Sequence, residues 1–167
     1  MPQVDLYYSK TFLGHFTLII SDKVDLIVYR IHFVDADAEA SKGGRIAWVT
    51  HKVAQVTGYA SGKVLSDFES SPKAYKDRVN YGNDNRTLLR SWNITVPQMD
   101  NMIMWAHMLI QQQKKGHSGS YGYVIYSGNV DNCGSFAIKC LQQAGIQISL
   151  PYLKSWLQLP SLIKNDI

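Results

Sequence analysis

Residues 15–35 read HFTLIISDKVDLIVYRIHFVD: two runs of β-branched, aromatic and aliphatic side chains around a short polar interruption. Residues 15–21 and 26–35 suit a pleated, half-buried surface, and the four residues Asp22, Lys23, Val24 and Asp25 between them make a connector of hairpin length. The stretch predicts an antiparallel hairpin. With residues 22–25 as the connector, the register sets His15 directly opposite His32. Opposed residues share a face with Cβ atoms about 5 Å apart, so two imidazoles meet on one side of the sheet with Thr17, Ile19, Val28 and Arg30 for company. A slip of one residue would separate them.

Outward from the hairpin, residues 35–44 are small and polar and read as a loop. Residues 45–59 offer a third strand around residues 46–49 and a fourth around residues 53–56, completing a small antiparallel sheet in the first half of the chain. Residues 66–90 are polar, without a sustained period, and carry turn signals at Ser70-Ser71-Pro72 and Tyr81-Gly82-Asn83-Asp84-Asn85. So long a stretch in a small chain is expected to be a substrate-facing loop, a pair of short helices or a solvated excursion. A helix start follows: Thr95 can cap, Pro97 is tolerated in the first turn, and Gln98 can reach back. Met102, Ile103, Ala106, Leu109 and Ile110 recur at helical spacing up to a basic end and a glycine at Lys114-Lys115-Gly116. Trp105 is expected in the core and His107 on the surface.

Residues 121–126 read as a further strand, residues 127–129 as a turn, and residues 132–146 as a second helix, capped by Asn132 and stopped by Gly145. The tail offers short helical turns around residues 153–157 and 161–164. The fold class is α+β: a small antiparallel sheet packed against a cysteine-bearing helix and a second long helix.

The 167 residues fit a single domain, 1–167, able to bury a core without disulfides or metals, and 46% hydrophobic with 18% charged residues is ordinary globular composition. The net charge of +4 is spread along the chain with no dense basic run, zinc-finger spacing or RNA-binding signature, so nucleic acid is not an expected partner. No basic start with an apolar run marks a cleavable signal, and no apolar stretch is long enough to span a bilayer. The expected location is cytoplasmic as synthesised, with export, where it occurs, by a route without a cleavable signal.

The two cysteines, Cys133 and Cys140, fall seven residues apart on the predicted second helix, so their Cα atoms lie roughly 10 Å apart, beyond disulfide reach. With no CxxC or HExxH spacing, neither metal nor cofactor is expected. With Asn132 as cap, Cys133 is the first helical residue, where unpaired N–H groups and the helix dipole bias a thiol toward thiolate. Gly134 and Ser135 leave the nearby backbone uncrowded, so Asn132 positions the turn and the N–H of Cys133 can stabilise an oxyanion. Cys133 as nucleophile, His15 as general base and His32 as the group that holds its tautomer meet the requirements of thiol catalysis. The bland reading is a small apolar side chain at a helix start.

Gly14-His15 ahead of Phe16 to Ile20, His32 on the second strand, and Asn132-Cys133 followed by Phe136-Ala137, Leu141 and Gly145-Ile146 resemble the permuted papain-like thiol enzymes. These include lecithin retinol acyltransferase-like proteins and relatives of the NlpC-type cell-wall peptidases; the cysteine helix also resembles bacterial effector and toxin domains of that superfamily. The resemblance implies a permuted papain-like fold and an amidase or peptidase that cleaves an amide or isopeptide bond, in peptidoglycan or protein, through a thioester. The runner-up is a phospholipid or protein acyltransferase. A third alternative is an inert binding domain of the same fold, and an inhibitor or immunity protein is an implied partner. In the acyltransferase branch the two histidines are closer in sequence and an acidic residue follows the cysteine where Gly134 stands here, departures that bear on a lipid-acyl substrate more than on the fold.

Overall fold

A computed structural model of the chain describes residues 1–10, 14–35, 44, 47, 49, 62–78, 86–114, 132–151 and 160–167. Five strands, β1 (Gln3–Ser9), β2 (His15–Asp22), β3 (Ile27–Asp35), β4 (Gly62–Ser70) and β5 (Arg86–Asn93), form one sheet in the order β4-β3-β2-β1-β5. Every neighbouring pair is antiparallel. Among the described residues, the helices with described bounds are α1 (Pro72–Asp77), α2 (Val96–Lys114), α3 (Cys133–Gln143) and α4 (Pro160–Ile163). The class is α+β, with the sheet packed against the cysteine-bearing helix and the long helix.

Strand alternation divides the sheet into two unequal faces. Val4, Leu6, Phe16, Leu18, Ile20, Tyr29, Ile31 and Phe33 point to one side and form the main core with Met102, Ala106 and Leu109 of α2 and Phe136, Ala137, Cys140 and Leu141 of α3. Phe136 is stacked between Phe33 and Trp105, with ring centroids 5.8 and 5.4 Å away, so Trp105 belongs to the core while His107 is exposed. The other face buries Tyr7, Ile19 and Val28 against Ala74 of α1, beside the buried polar residues Asp5, Thr17 and Arg30. Arg30 reaches Asp67 at 2.6 Å and Glu69 at 3.2 Å on β4, which keeps a nearly buried guanidinium paired.

The hairpin forms, with a corrected register. Asp22 joins β2 and pairs with Ile27, so the connector is residues 23–26, one position later than its composition suggests. The Asp22 carboxylate accepts the Val24 N–H at 2.8 Å, and Leu26 adopts φ 53 to close the turn. Moving a four-residue connector one step along the chain moves every pairing by two: Leu18 opposes Ile31, and continuation of that register places Thr17, rather than His15, opposite His32. An even shift leaves each side chain on its expected face.

Two further expectations change. Ala47 and Val49 are helical, against a strand around residues 46–49; the free edge of β3 is occupied by β4 instead. The strand at residues 53–56, the strand and turn at residues 121–129 and the helical turn at residues 153–157 lie outside the described residues. Residues 66–90 are no loop over their described part: they hold the end of β4, all of α1 and the start of β5. Both strands are sheet edges whose exposed residues are largely polar, which removes the alternation that marks a strand from sequence. The sheet also gains β1, an unassigned segment in the sequence reading, between β2 and β5.

Both main helices begin as their sequences predict. Thr95 N–H donates to Gln98 Oε1 at 2.8 Å and Gln98 N–H to Thr95 Oγ1 at 3.4 Å, a reciprocal cap for α2. Beyond α3, Gly145 adopts φ 74; its N–H donates to Gln142 O and that of Ile146 to Leu141 O, which closes the helix in a Schellman turn. Gln98 Nε2 donates to Ala144 O at 2.6 Å and ties the start of α2 to the end of α3. Among the described residues, no helix is long and apolar enough to cross a membrane.

Candidate active site

Asn132 builds the start of α3. Its Oδ1 accepts the N–H groups of Gly134 at 2.8 Å and Ser135 at 2.9 Å, while Ser135 Oγ accepts the N–H of Asn132 at 3.1 Å. Three N–H groups at a helix end are thus satisfied by two side chains, and Cys133 is fixed as the first helical residue. The cap thus engages the Gly134 and Ser135 donors.

Cys133 is 1% exposed, and its Sγ approaches the carbonyl oxygen of Gly14 at 3.8 Å. Gly14 has φ 76, and a Cβ there would stand 2.6 Å from Tyr8 Cε2 and 2.8 Å from the backbone nitrogen of Ser161. Only glycine fits this corner, which brings the backbone of β2 up to the sulfur. Cys140, one helical stripe further on, is fully buried in the core, and burial pushes its thiol far above the usual range.

His15 and His32 meet: Nε2 of His15 lies 3.0 Å from Nδ1 of His32, with the rings edge to face at a centroid distance of 5.1 Å. Since the pair is diagonal across the strands rather than directly opposed, the side chains span the extra separation. If His15 Nε2–H donates, His15 Nδ1 retains the lone pair a base needs. Both rings are held neutral. Burial, then the neighbouring His32 and then Arg86 lower His15 to about 3; burial and then Arg86 lower His32 to about 4. Arg86 reaches them because Ser9 pairs with His15 on one side and with Arg86 on the other.

The three residues are not joined in a single relay. Among the described residues, hydrogen bonds link His15 to His32 and Cys133 to Gly14, and none links the thiol to His15. Alternation along β2 places His15 with Thr17 and Ile19 on the α1 face, whereas α3 covers the opposite one. Thiol and imidazole therefore approach the start of β2 from two sides, with Gly14 between them. Sequence reading missed this, and it missed Arg86; the alternation of Val4, Leu6 and Tyr8 with Gln3, Asp5, Tyr7 and Ser9 was the signal for β1, the strand that carries the link.

No protein-family model, no curated protein and no solved structure matches the chain.

Proposed function

We propose that the chain is a cysteine-dependent acyl-transfer enzyme of the permuted papain-like type, acting as an amidase or peptidase through Cys133, His15 and His32. The observation that carries this reading is the convergence at the start of β2: a cysteine at a fully capped helix N-terminus touches the residue that precedes a histidine already bonded to a second histidine. In this reading Cys133 is the nucleophile, His15 the base and the bonded His32 the orienter.

In the proposed cycle His15 Nδ1 turns past Gly14 to take the Cys133 proton as Sγ attacks the substrate carbonyl. The N–H of Cys133 stabilises the oxyanion, and the imidazolium keeps its Nε2–H bond to His32. Collapse breaks the C–N bond, the departing amine takes the proton from His15, and a thioester remains. Water gives a proton to His15 and attacks the thioester; the C–S bond breaks, the acid leaves and Sγ recovers its proton. With a hydroxyl or amine acceptor in place of water the same cycle is an acyl transfer.

The burial of Cys133 and the separate sides from which thiol and ring approach favour a second reading, an inert binding domain. One experiment decides between them. p-Nitrophenyl acetate should give a nitrophenolate burst stoichiometric with protein and an acetyl adduct, found by mass spectrometry on the peptide carrying Cys133. The adduct should persist in Cys140→Ala and vanish in Cys133→Ala and His15→Ala. Acetylation at neither cysteine, or equally at both, establishes the inert domain.

A further inference from the structure

Strand β4 forms one edge of the sheet, with β3 as its neighbour. Beyond the last ladder pair, Ser71 N–H donates to Leu26 O at 3.2 Å in the same register, which marks a hydrogen-bonded position. By alternation Val28 with Glu69, Arg30 with Asp67 and His32 with Leu65 are hydrogen-bonded pairs, and the residues between them turn their N–H and C=O groups outward. At Ser66 and Phe68 those outward groups have no partner among the described residues. Residues 65–70 are all exposed, so this edge meets solvent. Its two sides differ in chemistry. Ser66 and Phe68 carry their side chains on the α2 side, opposite Ile31 and Tyr29. Phe68 is 58% exposed although its ring lies 6.3 Å from that of Tyr29, which also meets His107 of α2 at 5.5 Å, and Met104 and Met108 of the same helix are exposed as well. The opposite side carries Asp67 and Glu69, both half-exposed, which share the Arg30 guanidinium and have no second cation among the described residues. Two carboxylates on one guanidinium leave a negative charge along the edge.

We propose that the outer edge of β4 takes up an extended segment of a partner protein as an added antiparallel strand, and that this segment alternates apolar with cationic side chains. Its main chain exchanges hydrogen bonds with the outward groups of Ser66 and Phe68, the mode by which exposed sheet edges bind peptides. Opposed residues share a face, so the segment residues bonded to Ser66 and Phe68 lie on the α2 side, where an apolar side chain covers the exposed Phe68 ring. The residues that alternate with them fall beside Asp67 and Glu69, where a cation completes the balance of charge. The docking edge stands without the thiol chemistry. Its use for a peptide or protein substrate rests on the proposed function, since β4 passes the histidine pair where Leu65 opposes His32.

The test is a titration of the full chain, labelled with ¹⁵N, with an acetylated and amidated peptide of four Lys-Val repeats and separately with one of four Glu-Val repeats. Amide shifts at Ser66 and Phe68 should saturate with the cationic peptide, and the acidic one should bind about tenfold more weakly. Methylation of the valine nitrogens removes the donors that face β4 and should abolish binding, whereas methylation of the lysine nitrogens, whose donors face away, should leave affinity within about threefold. Ser66→Pro deletes an outward donor without touching the ladder to β3, a change that edge strands tolerate, and should weaken binding about tenfold. The methylated peptides make the same distinction on the unaltered chain, so the outcome does not depend on that variant folding. Cys133→Ala should bind the peptide as the wild type does; failure of the wild type to be acetylated at Cys133, with peptide binding intact, overturns the enzyme reading and leaves the docking edge standing. Equal binding of the two methylated peptides, or of the cationic and acidic ones, overturns the docking edge. A dimer in sedimentation velocity that Ser66→Pro dissociates gives the edge to a second copy and overturns the partner segment.

Discussion

Acid should unfold this protein through its two touching histidines, and the size of the effect can be worked out. In the unfolded chain each imidazole takes a proton near pH 6.5, whereas the folded state keeps His15 neutral down to about 3 and His32 down to about 4. The unfolded state therefore binds more protons throughout the window between those values and 6.5. Stability is complete above pH 6.5, falls as the pH drops through the window, and ceases to fall on this account below about 3. At pH 5 the solution lies about 1.5 units below the unfolded value of each histidine, which costs about 2 kcal/mol per ring, so the pair has a ceiling of about 4 kcal/mol. Both rings retain some solvent contact, which screens their burial, and roughly half the ceiling is the expected loss.

Urea unfolding at pH 7.5 and pH 5.0 measures it, compared with the variant His15→Gln/His32→Gln, in which a neutral amide replaces each ring. Carboxylates titrate in both proteins and cancel in the difference. The wild type should lose about 2 kcal/mol more than the variant, and the imidazole signals of His15 and His32 should stay in their neutral positions at pH 5 by NMR. Equal losses in the two proteins, or either ring titrating near 6.5, would refute the account of the pair as a buried neutral couple. The same numbers fix the resting state of the proposed base: neutral His15 is competent to accept a proton throughout the physiological range, so any acid limb of activity due to it should lie below pH 5.

Asn132→Ala removes the acceptor for two helix N–H groups and should cost about 1–2 kcal/mol in thermal or urea unfolding; a cost below about 0.3 kcal/mol would show that the cap does not hold α3. Gly14→Ala forces a Cβ to within 2.6 Å of Tyr8 and asks alanine to hold φ 76, so it should destabilise by more than about 2 kcal/mol, and a stable variant with unchanged Cys133 reactivity would disprove the tight corner. Cys140→Ala opens a small space in the core and should cost about 1–2 kcal/mol without affecting the acetylation of Cys133.

What could be read in the sequence was whatever depended on local chemistry. Asn132, Ser135 and Gly145 announce both ends of α3 because capping involves residues a few positions apart, and Thr95 with Gln98 does the same for α2. The edge strands β4 and β5 were illegible, because residues such as Asp67, Glu69 and Thr87 face solvent or a partner's charge and give no apolar alternation. Leu89 adds to this at β5, where the pairing with β1 shifts by a residue between Leu6 and Tyr7.

The histidine pair shows why a wrong register can still give a right contact. A connector of fixed length can only be misplaced along the chain, and each step of misplacement shifts the pairing by two, the period of a strand. Face is therefore protected from that error, although register is not, and His15 finds His32 on the diagonal. No such protection covers the relation between sheet and helix. Which face α3 covers is decided by where the apolar residues of five strands add up, a sum that includes β1 and β5, and both were missing from the sequence reading. The side of the sheet on which the thiol lies was therefore not legible from the sequence.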